Sequence, residues 1–111
     1  MAEEEEEQDL ETVMGLIVNG GNAKSSAFEA IRAAKEGDFA TADAKMKEAN
    51  DFLIKAHNSQ TQMLTDEANG KHAKVTLLVV HSQDHMMNAI TFRDLAGEIV
   101  DLYKRLDKEG K

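Results

Sequence analysis

His81-Ser82-Gln83-Asp84-His85 places two imidazoles and a carboxylate within one turn of a helix, directly after the apolar run Val75-Thr76-Leu77-Leu78-Val79-Val80. Residues three and four apart are neighbours on a helix surface, so His81, Asp84 and His85 share one side. Polar groups next to an apolar segment need partners or a chemical reason, because burying them alone is costly. Imidazole is the side chain that can act as a neutral nucleophile near pH 7.

Two chemistries suit this cluster. His81 and His85 have the spacing of two zinc ligands on a helix, but the glutamate of an HExxH motif is missing, so Asp84 or His57 would have to complete the set. The other chemistry is phosphoryl transfer. A neutral ring nitrogen attacks phosphorus in line and forms a labile phosphoramidate, with catalysis resting on positioning and charge stabilisation. Ser82, Gln83, His85 and backbone amides are the candidate donors to the phosphoryl oxygens. No serine-histidine-aspartate triad, carboxylate dyad or nucleotide loop competes for the role.

The composition bounds what can position these groups. The chain has 111 residues, enough for one domain with a modest core. Residues 1–8 form an acidic leader, Glu3 to Glu7 included, whose mutual repulsion is expected to keep it disordered and solvated. Residues 9–111 form the domain. There is no cysteine, hence no disulfide or thiolate ligand, which fits a reducing compartment. No apolar run approaches the ~20 residues that span a bilayer, and the acidic N-terminus is neither a secretory signal nor a transit peptide. A cytoplasmic protein without direct membrane insertion is expected. With 21 acidic against 13 basic residues, nucleic acid is an improbable partner, because a phosphate backbone is bound by clustered Lys and Arg.

Alanine, leucine, methionine, glutamate and lysine dominate over β-branched and aromatic types, which predicts an all-α fold. A first helix is expected from about Gln8 to Lys35, with Leu10, Met14, Ile17, Gly21, Phe28 and Ile31 inward and Glu11, Lys24 and Arg32 in water. Asn19-Gly20-Gly21-Asn22 reads as a small-residue notch within it, where another backbone or a ligand could come close. Gly37 caps that helix and Asp38 starts the next. The second helix carries Phe39, Ala42, Met46, Ala49, Leu53, Ala56, Gln60 and Met63 or Leu64 in an almost unbroken three-and-four alternation, with His57 along or beside this seam. Asp66 to Ala73 reads as a polar connection. A third helix, from about Lys74 to Lys108, is apolar on two sides. Leu77, Val80, Asp84, Asn88, Thr91, Leu95 and Leu102 fall near one face, and Val75, Leu78, Val79, Met86, Ala89 and Ala96 near the other. Two helices of the same chain can cover one face; copies of the chain would cover the other. On the outer face Asp84 either meets its own copies, where like charges recruit a cation, or stands exposed beside a lysine.

Val79-Val80-His81-Ser82-Gln83-Asp84-His85-Met86-Met87 resembles the active-site signature of the lactose/cellobiose-type enzyme IIA of the bacterial phosphoenolpyruvate-dependent sugar phosphotransferase system. Val13-Met14-Gly15-Leu16-Ile17-Val18-Asn19 with Gly21 and Ala23, Glu36-Gly37-Asp38-Phe39 with Ala42, and Ala56-His57 with Gln60-Thr61 and Leu64 extend the resemblance over nearly all the chain. Met86 stands where leucine is common, a volume-conserving change. The resemblance implies a three-helix antiparallel up-down bundle that assembles as a homotrimer. It implies a tele-phosphohistidine at His81, charged by the phosphohistidine of HPr and discharged to a cysteine of the cognate enzyme IIB during uptake of a β-glucoside, cellobiose, chitobiose or lactose. His85 and Gln83 would assist. Asp84 would meet its symmetry mates at the trimer axis around a divalent metal ion, magnesium foremost. Docking of HPr and enzyme IIB on so acidic a chain calls for an apolar rim around His81 and local basic residues, for which Lys71, Lys74 and Arg93 are candidates. The competing reading is a non-catalytic metal-binding bundle with a His81/Asp84/His85 site.

Overall fold

In the computed structural model the chain forms three helices, α1 (Ala2–Lys35), α2 (Phe39–Ala68) and α3 (Leu77–Glu109), running up, down and up in a rod of 64 × 20 × 20 Å. The structure describes residues 2–110, and side chains from residue 10 onward. The acidic leader drawn at 1–8 has its side chains outside the described residues. Its backbone from Ala2 belongs to α1, which therefore starts earlier than the apolar spacing suggests. Glutamate is a good helix former and its charge complements a helix N-terminus, neither of which registers in an apolar period.

The inward face of α1 is Val13, Leu16, Gly20, Ala23, Ala27, Ala30 and Ala34, spaced in threes and fours. This corrects the expected face. Leu10, Met14 and Phe28 are exposed, while Ile17, Gly21 and Ile31 flank the seam. Alanine and glycine let helix axes approach closely, so the larger apolar residues of α1 are displaced to the edges. On α2 the expected seam is the observed one: Ala42, Ala49, Leu53 and Ala56 are buried, with Phe39, Met46, Gln60 and Met63 beside them. His57 is exposed and lies off that seam, contrary to expectation, because Ala56 takes the inward position and the next residue turns about 100° away.

On α3 the outer face read from the sequence is present, but the inner one holds only from Met86 onward. Val75 precedes the Thr76 cap and is exposed, Leu78 is exposed and Val79 is half-buried, because the first turn of α3 lies at the end of the bundle. Ser82, Met86, Ala89, Ala96 and Val100 are buried against α1 and α2. Leu77, Val80, Asp84, Asn88, Thr91, Leu95 and Leu102 are exposed together. Leu77 is 86 % exposed and Leu95 57 %, so within one chain this stripe has nothing to cover it.

Two similar devices turn the chain. At the first, the Gly37 and Asp38 amides donate to the carbonyls of Ala34 and Ala33, at 3.0 and 2.9 Å, with Gly37 at φ 85°. That left-handed conformation is cheap only for glycine. At the second, α2 runs on to Ala68 and the connection is 69–76, later than the Asp66–Ala73 expected. Gly70, also at φ 85°, donates to Glu67, and Lys71 donates to Asp66. α3 then starts at Leu77 rather than near Lys74, because Thr76 is its N-cap: extended at φ −121°, it accepts from the Val79 amide at 3.2 Å.

Asp38 caps α2 by accepting from the Thr41 amide and hydroxyl, which hold its carboxyl below its ordinary value of 3.8. A carboxylate depressed in the folded state contributes its stability above the unfolded pKa and loses it as pH falls through the folded one. Asp38→Asn is therefore expected to flatten the part of the acid unfolding curve that lies below about pH 4. Chemical denaturation at stepped pH measures it; an unchanged slope there would show that the cap does not titrate with folding.

Candidate functional site

The Thr76 cap sets the register of α3, and with it the side on which the five signature residues emerge. His81 lies in the second turn with its imidazole exposed, and among the described residues it makes no hydrogen bond or ion pair. His85, one turn on, is half-buried. The two rings are 5.7 Å apart between centroids and tilted by 31°.

The notch in α1 is where His85 goes. A methyl group on Gly20 would come within 3.2 Å of His85 Cδ2, and one on Gly21 within 3.3 Å of His85 Nε2. The Cδ2–Nε2 edge of the ring thus lies against α1, close to the Ile17 carbonyl. Burial, the Lys24 ammonium and His81 push the His85 imidazole below the usual histidine range, and the Ile17 carbonyl works weakly the other way. The balance of these effects favours the neutral form of the His85 ring.

The other signature residues do not converge on His81. Gln83 points to α2, accepting from Gln60 Nε2 at 2.8 Å and donating to Met63 Sδ at 3.6 Å. Ser82 is fully buried and its hydroxyl donates to the Val79 carbonyl at 2.7 Å. It is therefore not a donor to a group on His81, a correction to the sequence expectation: a back-bonding serine on a buried face has no proton to spare. Asp84 is exposed on the outer stripe of α3, and among the described residues it has no ionic or hydrogen-bonding partner.

Among the described residues no group of three or more His, Cys, Asp or Glu side chains could hold an ion. The bundle with a single-chain His81/Asp84/His85 site is not supported: His85 turns inward to α1, Asp84 turns outward, and His57 is exposed on α2. An exposed, unpaired carboxylate is a hard oxygen donor suited to a divalent cation, but other copies of the chain would have to supply the remaining ligands.

Of the basic docking candidates, Lys71 and Lys74 are exposed near this end of the bundle. Lys74 edges an apolar hollow of ≈ 300 Å³ formed by Leu10, Val13, Met63, Leu78 and Val79. Arg93 is not available. It binds Asn50 Oδ1 at 2.6 Å and Asp94 at 2.7 Å, and its place on α3 is about 18 Å along the axis from His81. Sequence reasoning missed Ile17 and Lys24, the first assigned to the core and the second to water. The three-and-four spacing of the small residues around Gly20 is the signal that could have placed Lys24, one turn from Gly20, beside the notch.

Residues 11–104 match the family model for the lactose/cellobiose-specific IIA subunit of the phosphotransferase system. The chain is 46 % identical to the lichenan-specific phosphotransferase enzyme IIA component of Bacillus subtilis, over 87 % of this chain and 88 % of that protein. It superposes with a TM-score of 0.87 and 44 % identity on the cellobiose-specific enzyme IIA of Bacillus anthracis, covering 88 % and 90 % of the two chains. A chain in the solution structure of the Escherichia coli IIA(chitobiose)–HPr complex matches with a TM-score of 0.76 and 41 % identity, over 87 % of this chain and 94 % of that one.

Proposed function

The chain belongs to the lactose/cellobiose-specific IIA family of the sugar phosphotransferase system, and from that premise we propose that it carries a phosphoryl group on His81 between HPr and a cognate enzyme IIB. The carrying observation is the His81 imidazole itself, exposed at the head of α3 with neither ring nitrogen engaged. A relay needs that freedom twice, to receive the group and to hand it on.

In the receiving step the tele nitrogen of His81 attacks phosphorus in line. A phosphorus–nitrogen bond to His81 forms as the one in the donor's phosphohistidine breaks, and in the handing-on step the sulfur of enzyme IIB takes the group. Little proton transfer is required, so rate depends on alignment. His85 assists as a neutral ring alongside. Gln83 assists by tying α3 to Gln60 and Met63 of α2, which holds the signature turn at a set height. Both partners must leave after each transfer, so their complexes are weak and fast. The exposed Leu78, with Lys74 beside it, offers an apolar rim with one positive charge on an otherwise acidic molecule.

The working unit in this reading is a cytoplasmic homotrimer. No helix among the described residues is long and apolar enough to cross a membrane. The uncovered stripe of α3 supplies the contact, three copies of Asp84 surround the axis, and a divalent cation such as magnesium would offset their repulsion there. Val80→Asp, on the same stripe as Asp84, is expected to yield monomers. Sedimentation equilibrium measures this, and a trimer of unchanged affinity would place the contact elsewhere. An anomalous scattering map tests the ion.

The function is tested by incubating the protein with phosphoenolpyruvate, enzyme I and HPr. An acid-labile, base-stable phosphate on the chain is expected; its absence overturns the reading. The transported disaccharide is the concern of the membrane component, which alone touches it.

A further inference from the structure

We propose that Gly21 is a positioning residue for the transfer, acting through His85: because it has no side chain, the His85 ring reaches the Ile17 carbonyl and is held in one tautomer beside His81. The inference rests on His81 as the phosphoryl carrier.

Ile17 lies four residues before Gly21, so its carbonyl is the one that accepts the Gly21 amide in the helix. A side chain at Gly21 would stand next to that carbonyl. The space it would fill is taken by His85 Nε2, 3.3 Å from the site of the missing Cβ, and the adjacent Cδ2 fills the corresponding space at Gly20, 3.2 Å away. The ring is thus seated by its Cδ2–Nε2 edge in a gap that an alanine methyl would crowd by a few tenths of an ångström, and a carbonyl on that side favours the Nε2–H form. Nδ1 keeps its lone pair on the edge turned away from α1.

That assignment decides what His85 can do. Its single N–H is committed to α1, so it is not the hydrogen-bond donor to phosphoryl oxygens that the sequence suggests. It is instead a fixed wall against which the His81 ring is set, 5.7 Å away. Gly21 is a costly choice for the interior of a long helix, where alanine is preferred. Core packing alone would be served as well by alanine, as it is at Ala23, Ala27 and Ala30 on the same helix. The His85 ring is the reason for the exception.

The test compares the wild type with Gly21→Ala and with His85→Ala, alone and combined. Imidazole 15N shifts of the unphosphorylated protein at neutral pH report the His85 tautomer; phosphoryl transfer from phospho-HPr reports the rate. The wild type is expected to show a neutral, Nε2-protonated His85. Gly21→Ala is expected to turn that signature into the averaged one of two exchanging tautomers and to slow transfer several-fold, because the ring must give by a few tenths of an ångström to clear the methyl. Gly21→Ala should add nothing to His85→Ala. A wild-type ring spectrum and rate in Gly21→Ala overturn the inference, and so does a further loss when it is added to His85→Ala. An absence of phosphate on the wild type would instead overturn the carrier reading, while the 15N measurement would still judge the seating of His85.

Discussion

His81→Ala is expected to abolish phosphate acceptance from phospho-HPr, taking the acid-labile label from one group per chain to none. The effect is total because no other group can substitute. His85 is seated in α1 with its Nε2 edge covered, Ser82 is buried and bonded to Val79, and His57 and His72 sit on α2 and in the connection that follows it. The fold should survive, since an exposed residue with no partner contributes within roughly 0.5 kcal/mol of stability. Circular dichroism and thermal melting check that point, and labelled phosphate checks the chemistry. Retention of label in His81→Ala, or its loss only in His85→Ala, would assign the nucleophile wrongly.

Met86→Ala is expected to produce the largest loss of stability of any single truncation near the site, about 2–5 kcal/mol. Met86 is fully buried with Leu16 of α1 and Ala56 of α2, so its side chain fills the gap where all three helices meet. The neighbours at that layer include an alanine and a helix held by close backbone contact, which cannot collapse far into the void. For a domain of this size the midpoint should fall by roughly 10 °C or more. Met86→Leu conserves volume and should cost less than about 1.5 kcal/mol. Differential scanning calorimetry on both variants separates the two cases; equal melting temperatures would mean that Met86 fills no gap the fold depends on. Because Met86 follows His85 directly, the alanine variant should also transfer phosphate more slowly at temperatures where it is still folded.

The exposed carboxylate and the buried serine of the signature illustrate how much a linear spacing can say. Helix periodicity alone puts Asp84 on the outer stripe of α3 with Val80, Asn88 and Thr91, and the structure has it there. The same periodicity puts Ser82 about 100° away from His81, so its withdrawal from the site was legible too. What could not be read was its hydroxyl's choice of the Val79 carbonyl over a ligand.

Local rules were enough to determine the all-helical class, the glycine-and-aspartate turn at Gly37-Asp38, the seam of α2 and the two-sided character of α3, because each depends on residues within a few turns of one another. The signature residues and the notch were visible for the same reason. The face of α1 was not, since apolar size ranks Leu10, Met14 and Phe28 above Ala23, Ala27 and Ala30, whereas close helix packing selects the small ones. Nor was the meeting of Gly20 and Gly21 with His85, more than sixty positions away, or the downward push that burial and Lys24 exert on the pKa of that ring. Those depend on which helix lies against which and at what height. Only the folded chain decides that, because burial and Coulomb forces act through space and take no account of sequence separation.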